Sequence, residues 1–189
     1  MPFTINSNVL MAIASAIALV ELSRHKNDSF SYARKVTNFY FMAAVSLNLT
    51  AVIVIFFLAP LRFVNGENGF NMFLNDMFFF HLVNPILSAY SFLYLFNGAK
   101  INKTSRLLCF IPPMLYASVY ATYVLILHDW EDFYNFTFGG NYWLAAVLAL
   151  VSITAIYTIA TIFANAYNRR LLKKSSSKII LPSSAVAKF

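Results

Sequence analysis

Acidic residues are scarce, with 7 Asp and Glu in 189 positions, and charged residues together make up 11%, less than half the roughly 25% of an ordinary soluble domain. That excludes a water-soluble globule as the class of this chain. Glycine and proline are also few, at 5 and 6, which excludes collagen-like, low-complexity and disordered chains. One cysteine, Cys109, allows no internal disulfide, so the fold depends on packing alone. The 3 histidines and the lone cysteine show no zinc-type spacing. A Walker loop, a dinucleotide-binding glycine pattern and a HExxH helix are all absent from the sequence, so no metal, cofactor or nucleotide chemistry is expected.

What is abundant is apolar: 60% of residues are hydrophobic and 20 are Phe. Cutting the chain at Asp, Glu, Lys and Arg leaves five long uncharged intervals. Each is long enough for the roughly 20 apolar residues that cross a bilayer as a helix, which predicts spans near 4–22, 38–60, 77–97, 106–127 and 143–167. Transmembrane strands would alternate apolar and polar residues over about ten positions. AVIVIFFLAP and LAAVLALVSITAIY are instead apolar on every face. The expected fold is an all-α, integral membrane helical bundle over residues 1–168, followed by a basic, flexible tail over 169–189. No internal repeat is present.

The net charge of +7 is then a topology signal rather than a sign of nucleic-acid binding. Arg24, Lys26, Arg34 and Lys35 fall between the first two spans, and Lys100, Lys103 and Arg106 between the third and fourth. Arg169, Arg170, Lys173, Lys174, Lys178 and Lys188 follow the last. All of these lie on one side, and Arg62 alone lies on the other, with Glu67, Asp76, Asp129, Glu131 and Asp132. The positive-inside rule predicts a multi-pass protein of the cell membrane with a cytoplasmic C-terminus and an outer N-terminus. Its expected partners are membrane lipids, with the Arg169–Lys174 cluster near anionic headgroups. Trp130, Tyr134, Tyr142 and Trp143 gather at the outer end of the last span, as an interfacial aromatic belt does.

Polar groups within the spans are the places to look for function, because they are costly in hydrocarbon and face the bundle interior. In FFFHLVNPILSAYSF, His81, Asn84, Ser88 and Ser91 recur at helical spacing and form one polar stripe, while Pro85 withholds a backbone donor. Thr4, Asn8, Met11 and Ser15 recur similarly in the first span. Both spans run inward from the same surface, which puts Thr4 and His81 at similar depth, as a hydroxyl nucleophile and its base require. The alternative is structural, with Thr4 as a helix cap and His81 as an interhelical hydrogen-bonding residue. Asn38, Ser46, Asn48 and Thr50 read as interhelical glue. Tyr116, Tyr120 and Tyr123 form a packing stripe whose phenols are also suited to steady an oxyanion. Asp132, in the loop HDWEDFYNF, is placed to orient His81 if that loop folds back, and otherwise is solvated.

FTINSN opening a helix, FFLAP closing the next, FFFHLVNPILSAYSF, and DFYNFTFGG between the last two spans resemble the bacterial Pr6Pr membrane family over roughly residues 3 to 167. That family is distantly similar to the androgen-induced and FAR-17a-like membrane proteins of animals. Several of those are threonine hydrolases of fatty acid esters of hydroxy fatty acids. The resemblance implies a lipid ester hydrolase with Thr4 as nucleophile and His81 as base, needing no cofactor; the polar stripes and the outer loop add Asn8, Asn84, Ser88, Tyr120 and Asp132 as substrate-pocket or supporting residues. It also implies six spans, so a further hydrophobic helix is expected ahead of Met1. A non-catalytic protein that binds a lipid or small amphiphile in the same cavity, or a structural partner subunit, is the competing class. A transporter built of two related halves with broken helices has no support in the sequence.

Overall fold

A computed structural model describes residues 3–24, 31–132 and 140–179, the side chains of 142 and 177–179 excepted. Among the described residues five helices are long and apolar enough to cross a membrane. They are α1 (Phe3–Arg24), α2 (Arg34–Val64), α3 (Asp76–Leu95), α4 (Lys103–Ile126) and α5 (Tyr142–Ile179). All five predicted spans are therefore present. Tyr134, the tail beyond 179 and most of the DFYNFTFGG segment lie outside the described residues. One boundary moves: helix was expected to stop near 167 and a flexible tail to start at 169, yet α5 stays helical through Ile179. Its basic turn is held, because Leu171 packs on the core and Arg170 bonds the end of α3.

α1 and α2 form the tightest pair. The buried residues of α1 are Thr4, Ser7, Met11, Ala14 and Ala18, an alternating three-and-four spacing that makes a heptad seam. α2 in turn buries Ala43, Ala44, Leu47 and Thr50, Thr50 meets Ser7 across the pair, and small residues on both helices let the backbones approach. The buried stripe thus passes through Ser7 and Ala14. Asn8 and Ser15, grouped with Thr4 by the sequence pattern, sit half-buried on its flank.

Two of the π-turns among the described residues lie just ahead of a proline. The ring of a helical proline collides with the carbonyl four residues earlier and leaves that carbonyl without a donor. For Pro60 the affected residue is Phe56, at the centre of a π-turn over Val54–Leu58; for Pro85 it is His81, at the centre of a π-turn over Phe79–Val83. In each, the wider turn bonds five residues back, Ala59 N–H to the Val54 carbonyl and Asn84 N–H to that of Phe79. α4 is interrupted at Cys109–Phe110 and resumes at Ile111, where Pro112 and Pro113 occupy the first turn and need no donors.

The basic end of the bundle is closed. Tyr167, fully buried, accepts a hydrogen bond from Gly98 N–H at 2.7 Å, and Ala99 N–H bonds Thr37 Oγ1 at 3.1 Å. Asn168 holds both backbone groups of Ile101, each at 2.9 Å. Arg170 donates to the carbonyls of Leu93 and Phe96, capping the C-terminus of α3 with positive charge. At the other end α5 leaves the bundle: its buried residues, Ile156, Ala160, Phe163, Ala164 and Tyr167, begin only at position 156, and the turns before it hold none among the described residues. The remaining surface is apolar along all five helices, with Leu19, Phe56, Ile86, Leu115 and Leu150 exposed, as lipid-facing residues are.

Candidate active site at the Thr4 end

The polar stripe of α3 is paired along its whole length, each residue with a different partner. His81 Nε2 lies 3.4 Å from Thr4 Oγ1, and Asn84 Nδ2 donates to Asn8 Oδ1 at 2.7 Å. Ser88 Oγ accepts from Asn48 Nδ2 at 3.0 Å, and Ser91 Oγ meets Tyr40 OH at 2.7 Å. The first two rungs tie α3 to α1, and the next two tie it to α2. Asn8 Nδ2 also donates to the Thr4 carbonyl at 2.8 Å, so Asn84 and Asn8 together fix the turn that carries Thr4.

Thr4 and His81 are both buried, at 7% and 2% exposure. The other ring nitrogen, Nδ1, lies 2.6 Å from the carbonyl of Met72. A carbonyl only accepts, so Nδ1 carries the proton and Nε2 presents a lone pair to the Thr4 hydroxyl. That is the tautomer a base needs, set from behind as in other oriented histidines. Met72 reaches this position because a short 3-10 helix, Gly69–Phe73, lies against the end of α2. Gly69 permits the approach: a Cβ there would stand 2.6 Å from the Phe63 ring. Asn68 caps the turn by accepting from Phe70 N–H at 3.0 Å.

The expectation that Asp132 orients His81 is not met. Asp132 accepts instead from the Tyr120 hydroxyl at 2.7 Å, which spends that phenol on the loop. Ser88, a turn deeper, donates to the Pro85 carbonyl at 2.9 Å and belongs to the interhelical ladder rather than to a cavity wall. Ser7, which the sequence pattern passed over, bonds both the Thr4 carbonyl at 3.0 Å and Thr50 Oγ1 at 2.9 Å. Its position four before Met11 and three after Thr4 was the available signal.

Two cavities meet at Thr4. One, about 420 Å³, is a slot walled by α4 and α5 with α2 as its floor, lined by residues such as Leu49, Val54, Ala117, Tyr120, Ala149 and Ile156. The other, about 530 Å³, is the more polar of the two and lies under the α2–α3 loop, with His81, Arg62, Asn65, Glu67, Asn71 and Asp132 on its walls beside apolar Leu61, Met77 and Phe80. Arg62 and Glu67 pair there at 3.2 Å. Thr4 lines both cavities, whereas His81 lines only the polar one. Among the described residues no three His, Cys, Asp or Glu side chains gather to hold a metal ion.

No family model matches the chain, and neither a curated protein nor a solved structure does. Function must therefore be read from the chemistry of the site itself.

Proposed function

We propose that this chain is a multi-pass membrane hydrolase of lipid esters, akin to the Pr6Pr family, with Thr4 as nucleophile and His81 as base. The observation that carries the proposal is the Thr4–His81–Met72 line: a buried hydroxyl faces a bare imidazole nitrogen whose other nitrogen is tied to a carbonyl. Thr4 Oγ1 attacks the ester carbonyl while its proton passes to His81 Nε2. The tetrahedral intermediate expels the alcohol, which takes that proton, and an acyl-Thr4 remains. Water then attacks, giving a proton to Nε2, and the acid leaves as Thr4 recovers its hydrogen. Thr4 lies in the first turn of α1, where the helix N-terminus favours the negative charge that develops. In the cell membrane the basic end faces the cytoplasm and the Thr4 end faces outward, in accord with the basic residues at that closed end.

A fluorophosphonate probe tests the nucleophile. It should label Thr4 in the wild-type chain and fail to label the Thr4→Ala and His81→Ala variants. An unlabelled wild-type chain that still binds lipid would replace the hydrolase with a lipid-binding protein. Alkaline phosphatase fused after Lys174 tests the orientation: it should be inactive, and an active fusion would invert the topology.

A further inference from the structure

The two unlike cavities that meet at Thr4 define a substrate, on the assumption that Thr4 and His81 hydrolyse esters. We infer that the substrate is an ester of a hydroxyl-bearing alcohol, with its acyl chain in the α4–α5 slot and its alcohol in the more polar chamber. The direction follows from the proton. The leaving alcohol must take its hydrogen from His81 Nε2, so the alcohol oxygen lies on the His81 side of the scissile carbonyl. His81 lines the polar chamber and not the slot, which leaves the slot for the acyl chain.

Size and polarity agree with that assignment. A methylene needs roughly the ~30 Å³ that a water molecule occupies in the liquid, so a slot of about 420 Å³ holds on the order of a dozen chain carbons. The polar chamber offers Asn65, Asn71 and an Arg62–Glu67 pair that is already internally neutral. These groups hydrogen-bond the hydroxyls of an alcohol, while Leu61, Met77 and Phe80 beside them pack on its carbon skeleton. Entry is sideways. α5 packs on Lys103–Leu108 of α4 and parts from that helix beyond, and the slot residues Met114, Ala117, Ala149 and Ile153 are exposed. A chain already lying in the bilayer slides between the two helices without crossing water.

The test uses the full chain in nanodiscs with glyceryl monoesters of 4 to 16 carbons, and with the wax ester of a 12-carbon acid. Turnover should rise with acyl length and level off near a dozen carbons, and the wax ester should be at least tenfold slower than the matching monoester. Ala149→Trp, which fills the slot, should lower the ratio of 12-carbon to 4-carbon turnover at least tenfold. Ala146→Trp, on the exposed side of the same helix, should leave that ratio unchanged. A 12-carbon glyceryl monoether with a terminal diazirine reads occupancy without turnover. It should mark residues of the slot in the wild-type chain and not in Ala149→Trp. Slot labelling with no hydrolysis of any ester would uphold the chain site and reject the hydrolase. Hydrolysis with a ratio that Ala149→Trp does not change, or labelling spread over the outer helix faces, would reject the slot and keep the hydrolase. A wax ester cleaved as fast as the monoester would overturn the polar-alcohol assignment. A second copy of the chain occupying the slot, seen as exclusion of the probe, would overturn the acyl-chain assignment.

Discussion

A threonine differs from a serine in having two heavy atoms on Cβ, so its side chain has fewer accessible rotamers. At Thr4 this keeps the hydroxyl on the line to His81 Nε2 while the backbone is held by Asn8 and Ser7. Thr4→Ala should abolish ester hydrolysis, whereas Thr4→Ser, which keeps the hydroxyl but loosens it, should retain a measurable fraction. Loss of a general base typically costs about 10²- to 10⁴-fold, so His81→Gln should fall by that amount with its helicity unchanged. The acid limb of the wild-type rate profile should also vanish with it. Steady-state rates on purified variants check all three, and a fully active Thr4→Ala would return Thr4 to the role of a helix cap. Asn8 is a positioning residue: Asn8→Ala frees one turn of α1 and should lower kcat more than it raises KM. A purely structural role would move only the unfolding midpoint.

At the scale of the helix, the register of His81 depends on Pro85. A π-turn accommodates one extra residue, so restoring a regular α-helix would rotate what precedes it by roughly 100°. With the proline removed, the regular bond from residue 85 to the His81 carbonyl becomes available and the ring clash is relieved, together worth up to about 3 kcal/mol in a helix interior. Pro85→Ala should therefore raise thermal stability while turning the imidazole away from Thr4 and cutting turnover. Melting curves paired with fluorophosphonate labelling check the two effects together; unchanged labelling would mean that Met72 and Asn84 alone hold the histidine. The five spans were legible in the sequence because a bilayer demands length and apolarity, and both are written in composition. The pairing of Thr4 with His81 was legible too, from depth and residue type. Other features were not. A backbone carbonyl such as that of Met72 has no side-chain signature, so an acidic residue, Asp132, looked like the natural partner. The widened turn at His81 was visible only as a proline four residues later. The parting of α4 from α5 left no trace, because core-facing and lipid-facing positions are equally apolar and a helix such as α5 does not declare which face it packs.

The molecule as a whole divides its labour between its ends. At the basic end, hydrogen bonds from α5 and α2 hold the α3–α4 connection, and that connection fixes where both helices begin their path to the opposite end. At the Thr4 end the helices stand apart and leave the two cavities, so the closed end must supply rigidity that the open end lacks. Gly98 is the tightest point. Its N–H bonds Tyr167, and a Cβ there would stand 3.2 Å from Thr37 Cβ, with the Thr37 hydroxyl nearer still. Tyr167→Phe leaves that N–H buried and unpaired, at a cost of about 1–3 kcal/mol. Gly98→Ala forces the loop outward, at a similar cost of about 1–3 kcal/mol. Both changes act on one contact, and once the loop has moved, the Tyr167 hydroxyl has less left to lose. The double variant should therefore cost less than the sum of the singles, whereas independent sites add. Unfolding in mild detergent gives the four stabilities, and ester turnover per folded molecule gives the function. If the ends are coupled only through rigidity, all four chains should keep their chain-length preference at temperatures well below unfolding. A shift in that preference in Gly98→Ala would instead show that the connection at the basic end sets the width of the slot.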